Sequence, residues 1–118
     1  MRRVDDFAAL IADPEIDAVV VATPPETHHG LAASVIRSGK DVLVEKPLTL
    51  DPRDAEDLVR LAREHSRVLM VGHLLVYRPA VDLLRAVVRH GDLGDARYLY
   101  FQRVNLGVIR REENSLWS

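Results

Sequence analysis

The sequence predicts an α/β fold built around a parallel sheet. Three observations carry this: short valine-rich runs apolar at successive positions, helical stripes between them, and connections of only a few residues. Val4, Phe7, Ala8 and Ile11 fall on one helical face, and Pro14 marks a turn after them. Asp17 to Ala22 is a continuous apolar run with three valines, read as a strand covered on both faces and ended by Thr23-Pro24-Pro25. Leu31, Ala32, Val35 and Ile36 place a helix over Thr27 to Ser38, and Gly39 stands where a left-handed cap is wanted.

Asp41 to Glu45 is the second strand, which should end near Lys46 because Pro47 cannot continue a ladder. Asp51 or one of its neighbours caps the next helix, with Ala55, Leu58, Val59 and Ala62 inward and Glu56, Arg60 and Glu64 on a solvated face. Arg67 to Gly72 reads as a third buried strand. Pro79 to His90 reads as a helix with Val81, Leu84, Val87 and Val88 inward, closed by Gly91 to Gly94. Arg97 to Val104 alternates partly, carries most of the aromatics and reads as a strand with one wetter face. Alternation of this kind implies right-handed crossovers between parallel strands.

Composition narrows the function. At 118 residues the chain is one ordinary domain at most, too short for separate cofactor and substrate domains. With 16 basic and 18 acidic side chains the net charge of -2 gives no basic excess for nucleic acid or an anionic membrane. The absence of cysteine excludes a disulfide framework, a thiolate metal site and a thiol nucleophile. No apolar run is long enough for a signal peptide or a membrane helix, so a cytoplasmic location is expected.

In open parallel sheets ligands bind beyond the carboxyl ends of the strands. Those ends are Thr23-Pro24-Pro25, Glu45-Lys46-Pro47 and Gly72-His73. Lys46, between Glu45 and Pro47, reads as a proton donor or acceptor or a cation orienting a cofactor; the other reading is a solvated lysine paired with Glu45. The Lys46-Pro47 bond is a candidate cis peptide. His28 and His29 begin a helix, and as neighbours on it they point in different directions, so they make a poor metal pair; no metal site is expected. His73, after a strand and a glycine, is a candidate for a cleft, whereas His65 and His90 suit helix ends. Tyr98, Tyr100 and Phe101 read as sheet and core residues rather than a base-stacking platform.

Three segments in combination go further: Asp17-Ala-Val-Val-Val-Ala-Thr-Pro-Pro25 with His28 and Leu31-Ala32, Gly39-Lys-Asp-Val-Leu-Val-Glu-Lys-Pro-Leu48, and Val71-Gly-His73 with Tyr77-Arg-Pro79. Together they resemble the Gfo/Idh/MocA family of NAD(P)-dependent sugar oxidoreductases, with Glu-Lys-Pro the most specific element. The resemblance implies a partial Rossmann-like domain over 1–93 and, over 94–118, the first strand of an α+β substrate domain. It implies that Thr23, Pro24 and Pro25 line the nicotinamide-ribose side, that His28 lies near the cofactor, and that Glu45, Lys46 and Pro47 meet nicotinamide and substrate. Lys46 would be catalytic, taking a hydroxyl proton as hydride passes to NAD or NADP. His73 and Tyr77 are candidates for the substrate side. The tail from Asn105 to Trp117 looks like members acting on nucleotide-linked sugars or sugar acids.

No Gly-x-Gly-x-x-Gly turn occurs in the sequence, and the family's downstream Asp and His are missing too. The chain therefore reads as a fragment: an oxidoreductase of sugars, sugar acids or nucleotide sugars, inactive and binding dinucleotide poorly on its own. The alternative is a non-catalytic interaction module forming a homo-oligomer through the strand Ala96 to Val104, whose edge is guarded only by Arg97 and Arg103. A small flavodoxin-like domain with its own ligand is a third reading.

Overall fold

The computed structural model describes residues 4–95, 97–100 and 102. It divides into two compact units between Gly72 and His73.

In the first unit, Asp6 caps α1 (Phe7–Ala12) by accepting the Ala8 N–H at 3.0 Å. Three parallel strands follow, β1 (Ala18–Val21), β2 (Asp41–Val44) and β3 (Leu69–Val71), side by side in chain order. Between them run α2 (His28–Arg37), entered through a 3₁₀ turn at Pro25–Thr27, and α3 (Pro52–Glu64). Two successive right-handed crossovers in one direction put both helices on one face of the sheet. Accordingly α2 and α3 pack on each other as well as on the strands.

The register shows what that single layer covers. Val21 pairs with Val44, and Val44 with Val71; Val19 pairs with Val42, and Val42 with Leu69. This inward set meets Ala32, Ala33, Val35, Ile36, Leu58, Leu61 and Ala62 in the core. The alternate row, Val20, Leu43 and Met70, lies on the opposite face, and Val20 is 66% exposed. The expectation of strands covered on both faces is thus corrected: among the described residues one face of the sheet is covered. Val59 is likewise more exposed than expected, because the α3 stripe that meets the sheet runs through Leu58, Leu61 and Ala62.

Turn chemistry follows the sequence closely. Gly39 has φ +79°, its N–H bonding the Ile36 carbonyl at 3.0 Å. Asp51 accepts the Arg53 N–H at 2.9 Å, and the Arg53 guanidinium beside it holds the Asp51 carboxyl below its usual range. Lys40 is buried, and its Nζ donates to the carbonyls of Asp13 and Ile16, each at 2.7 Å, fixing the loop that feeds β1.

The second unit contains a 3₁₀ turn at Leu74–Tyr77 and α4 (Pro79–His90), closed by Gly91 at φ +77°. The helix has the expected bounds, yet none of its side chains is buried, and Leu84 and Val88 are about half exposed. The strand expected from Arg97 to Val104 is not formed at Arg97–Tyr100: among the described residues no ladder partner lies beside them, and Tyr98, Leu99 and Tyr100 are exposed. Residues 101 and 103–118, which include the end of that strand and the tail from Asn105 to Trp117, lie outside the described residues. Among the described residues no helix is long and apolar enough to cross a membrane.

Candidate functional site

The ladder continues one residue past the strand ends. The Glu45 N–H donates to the Val21 carbonyl at 2.9 Å and the Gly72 N–H to the Val44 carbonyl at 2.8 Å. Backbone pairing therefore brings the segments starting at Ala22 and Glu45 to one carboxyl-end rim, with Gly72 beside Glu45.

The Thr23 segment is tied by its own hydroxyls. The Thr27 Oγ1 donates to the Pro24 carbonyl at 2.8 Å, so in its 2.6 Å contact with Thr23 the Thr23 hydroxyl is the donor. Exposed Thr23 Oγ1 thus keeps its acceptor lone pairs for a ligand. Pro24 is exposed beside it and Pro25 half-buried.

At the end of β2 the three residues Glu45, Lys46 and Pro47 divide the work. The Lys46-Pro47 peptide is cis. Pro47 is buried and its carbonyl points inward to His28, whereas Lys46 is exposed. The Glu45 carboxylate is turned back, its Oε2 accepting the Lys46 N–H at 3.2 Å. It also lies over Gly72, where an added Cβ would come within 3.1 Å of Oε2. Glycine at position 72 is the residue that lets the carboxylate lie there. The Lys46 ammonium makes no ion pair or hydrogen bond among the described residues, so the reading of a lysine paired with Glu45 is not what the structure shows.

His28 is 1% exposed, a polar side chain set within the core. Its Nδ1 stands 2.7 Å from the Pro47 carbonyl oxygen and its Nε2 2.8 Å from that of Thr23. Its neighbour His29 points elsewhere, with Nε2 3.0 Å from Asp57 Oδ2 on α3. There Asp57 also pairs with Arg60, and the His29 hydrogen bond followed by that of Arg60 holds its carboxyl below the usual range. Among the described residues no cluster of three metal-ligating side chains exists.

His73 and Tyr77 belong to the second unit. Both are exposed, Tyr77 at the end of the 3₁₀ turn. Sequence reasoning picked out the rim residues but not the partners of His28 or the contact of Glu45 with Gly72. Lys40, the other lysine, is a buried structural group.

The parallel sheet, its two crossover helices and a strand-end rim presenting an unpaired lysine define a Rossmann-type α/β protein. The chain belongs to the Gfo/Idh/MocA oxidoreductase family: the family profile, described as an oxidoreductase family with an NAD-binding Rossmann fold, matches residues 1–73. It is 38% identical over 103 residues to the UDP-N-acetylglucosamine 3-dehydrogenase of Acidithiobacillus ferrooxidans, covering 87% of this chain and 31% of that protein. It is 37% identical over 108 residues to the inositol 2-dehydrogenase of Mycolicibacterium smegmatis, covering 91% of this chain and 31% of that one. Among solved structures, a biliverdin reductase from Synechocystis sp. PCC 6803 in complex with biliverdin and NADP+ superposes with a TM-score of 0.66 at 34% identity, over 73% of this chain and 27% of that one. The chain thus spans under a third of the length of the curated relatives it matches.

Proposed function

We propose that this chain carries the nicotinamide side of an NAD(P)-dependent oxidoreductase acting on a carbinol of a sugar, sugar acid or nucleotide sugar, with Lys46 as its proton-transfer residue. The observation that carries this reading is the exposed Lys46, unpaired among the described residues, at the carboxyl end of a parallel strand, its neighbouring carboxylate folded away onto Gly72 and its following carbonyl anchored on a buried histidine. The names of the relatives, a nucleotide-sugar dehydrogenase and an inositol dehydrogenase, support the substrate class.

The residues fit a nicotinamide in their donor and acceptor chemistry. Thr23 offers an acceptor, Lys46 a cation, and Pro24 an apolar surface. When bound, the nicotinamide ring supplies the hydride acceptor or donor. In the oxidative direction Lys46 Nζ, as the neutral amine, takes the proton of the substrate hydroxyl and becomes the ammonium as the carbinol C–H bond gives up hydride; in the reductive direction the ammonium returns that proton to the carbonyl oxygen. The Glu45 carboxylate stays out of the transfer because it is held against the Lys46 amide. These residues serve the nicotinamide end; a glycine-rich turn for the diphosphate is not among the 118 residues.

The test is turnover of nucleotide-sugar and inositol carbinols by the intact protein and its Lys46→Met variant. The variant is expected to lose about 10²- to 10⁴-fold in kcat. Unchanged kcat would remove Lys46 from proton transfer.

A further inference from the structure

We propose that His28 is a positioning residue: its buried ring cross-braces the two rim segments and so sets where Lys46 stands relative to Thr23. The inference rests on the reading of the rim given above and adds to it a role played from beneath rather than by contact with a ligand.

Four observations carry it. The ring is 1% exposed, which removes its nitrogens from solvent. Both nitrogens stand at hydrogen-bond distance from backbone carbonyls, 2.7 Å to Pro47 and 2.8 Å to Thr23. Those carbonyls come from different segments, 19 and five residues away in sequence, and each adjoins a rim residue: Pro47 follows Lys46, and Thr23 is itself on the rim. Finally, among the described residues no buried side-chain nitrogen or oxygen is left without a partner, the ring nitrogens of His28 included.

The chemistry explains why histidine suits the place. A carbonyl oxygen only accepts, and beyond the Glu45–Val21 hydrogen bond the β1 and β2 chains no longer pair with each other. A donor that reaches two acceptors must be planar, short and carry an N–H at two edges, which imidazole does when both ring nitrogens bear hydrogen; with one N–H it donates to one of the two carbonyls. Histidine meets this with only two side-chain torsions to fix, whereas Lys or Arg would lose more rotamer freedom. Asparagine reproduces the Nδ1 position alone and glutamine the Nε2 position alone.

That difference supplies the experiment. Backbone nitrogen-15 relaxation and amide shifts are recorded for the full chain as wild type, His28→Asn and His28→Gln, reading Lys46, Leu48 and Thr49 against Thr23, Glu26 and Thr27. His28→Gln is expected to keep the Thr23 segment rigid, with order parameters near about 0.85, and to let the Lys46 segment fall toward about 0.6; His28→Asn is expected to do the reverse. Core amides such as Val35 and Val44 stay unchanged in both, which separates loss of the brace from loss of the fold. Indifference of both rim segments, or equal loosening of both in each variant, overturns the brace. Because the readout needs no ligand, it stands apart from the proposed reaction: loss of kcat in Lys46→Met with indifferent rim segments would sink the brace alone, and the converse would sink the reaction alone.

Discussion

The helices α2 and α3 of the first unit and α4 of the second are all amphipathic, yet they end differently. In the first unit the apolar stripes meet a sheet whose inward row is Val19, Val21, Val42, Val44 and Leu69, and Ile36 and Leu58 reach complete burial. In the second unit α4 carries Val81, Leu84, Val87 and Val88 on one stripe and buries none of them. A stripe in the sequence shows that a helix has a face to hide; only a facing surface turns that into stability. The candidate residues divide in the same way: His28, Glu45 and Pro47 are held in the first unit, and His73 and Tyr77 lie exposed in the second.

The largest expected effect breaks this contrast at its root. Leu58→Ala, at a fully buried position, should cost about 2–5 kcal/mol in urea unfolding, and Leu84→Ala on α4 about 0.5 kcal/mol or less. Equal losses would show that α4 is buried as deeply as α3.

Two glycines of the first unit separate stability from site geometry. Gly39→Ala, at φ +79° with open space around the new Cβ, should cost about 1–2 kcal/mol and leave Lys46 untouched. Gly72→Ala places its Cβ 3.1 Å from Glu45 Oε2, and the carboxylate, being the end of a flexible side chain, should swing aside. The stability cost is then about 1 kcal/mol or less, but the Lys46 amide, which donates to that oxygen, should shift clearly. An unmoved Lys46 amide would contradict the link.

Caps and ion pairs come next. Asp51→Ala should cost about 1 kcal/mol, since the carboxylate satisfies the Arg53 N–H at the start of α3. Asp57 reads out the α2–α3 contact through pH. Its folded carboxyl is held below the ordinary 3.8 by His29 and Arg60, so folding favours the anion. The stabilisation is therefore complete above 3.8 and lost as pH falls through the lowered folded value. Asp57→Asn should flatten that acid limb, by a small amount at so exposed a site; an unchanged slope would exclude Asp57 as its source.

Much of this was legible in the sequence. The cap at Asp51, the turn at Gly39 and the bounds of α4 rest on local chemistry within a few residues, which a sequence displays directly. The strand-end rim followed from alternating elements, because a parallel sheet puts all its carboxyl ends on one side. What stayed hidden depends on distant partners. Valine runs could not tell that Val20 and Met70 would stand on a face that the described residues leave open. The aromatic segment after Ala96 has strand propensity, but a strand needs a ladder, and Arg97–Tyr100 have none among the described residues. His28 looked like a residue at a helix start; its role is set by a carbonyl 19 positions away.

The rim's assignment as a nicotinamide site is tested most directly by titrating NADH and NADPH into the chain while following its amide spectrum. Shift changes should gather at Thr23, Glu26, Thr27, Lys46 and Leu48 and leave α4 still. Changes confined to α4, or none at the rim even in the millimolar range that a chain without a glycine-rich turn calls for, would contradict it.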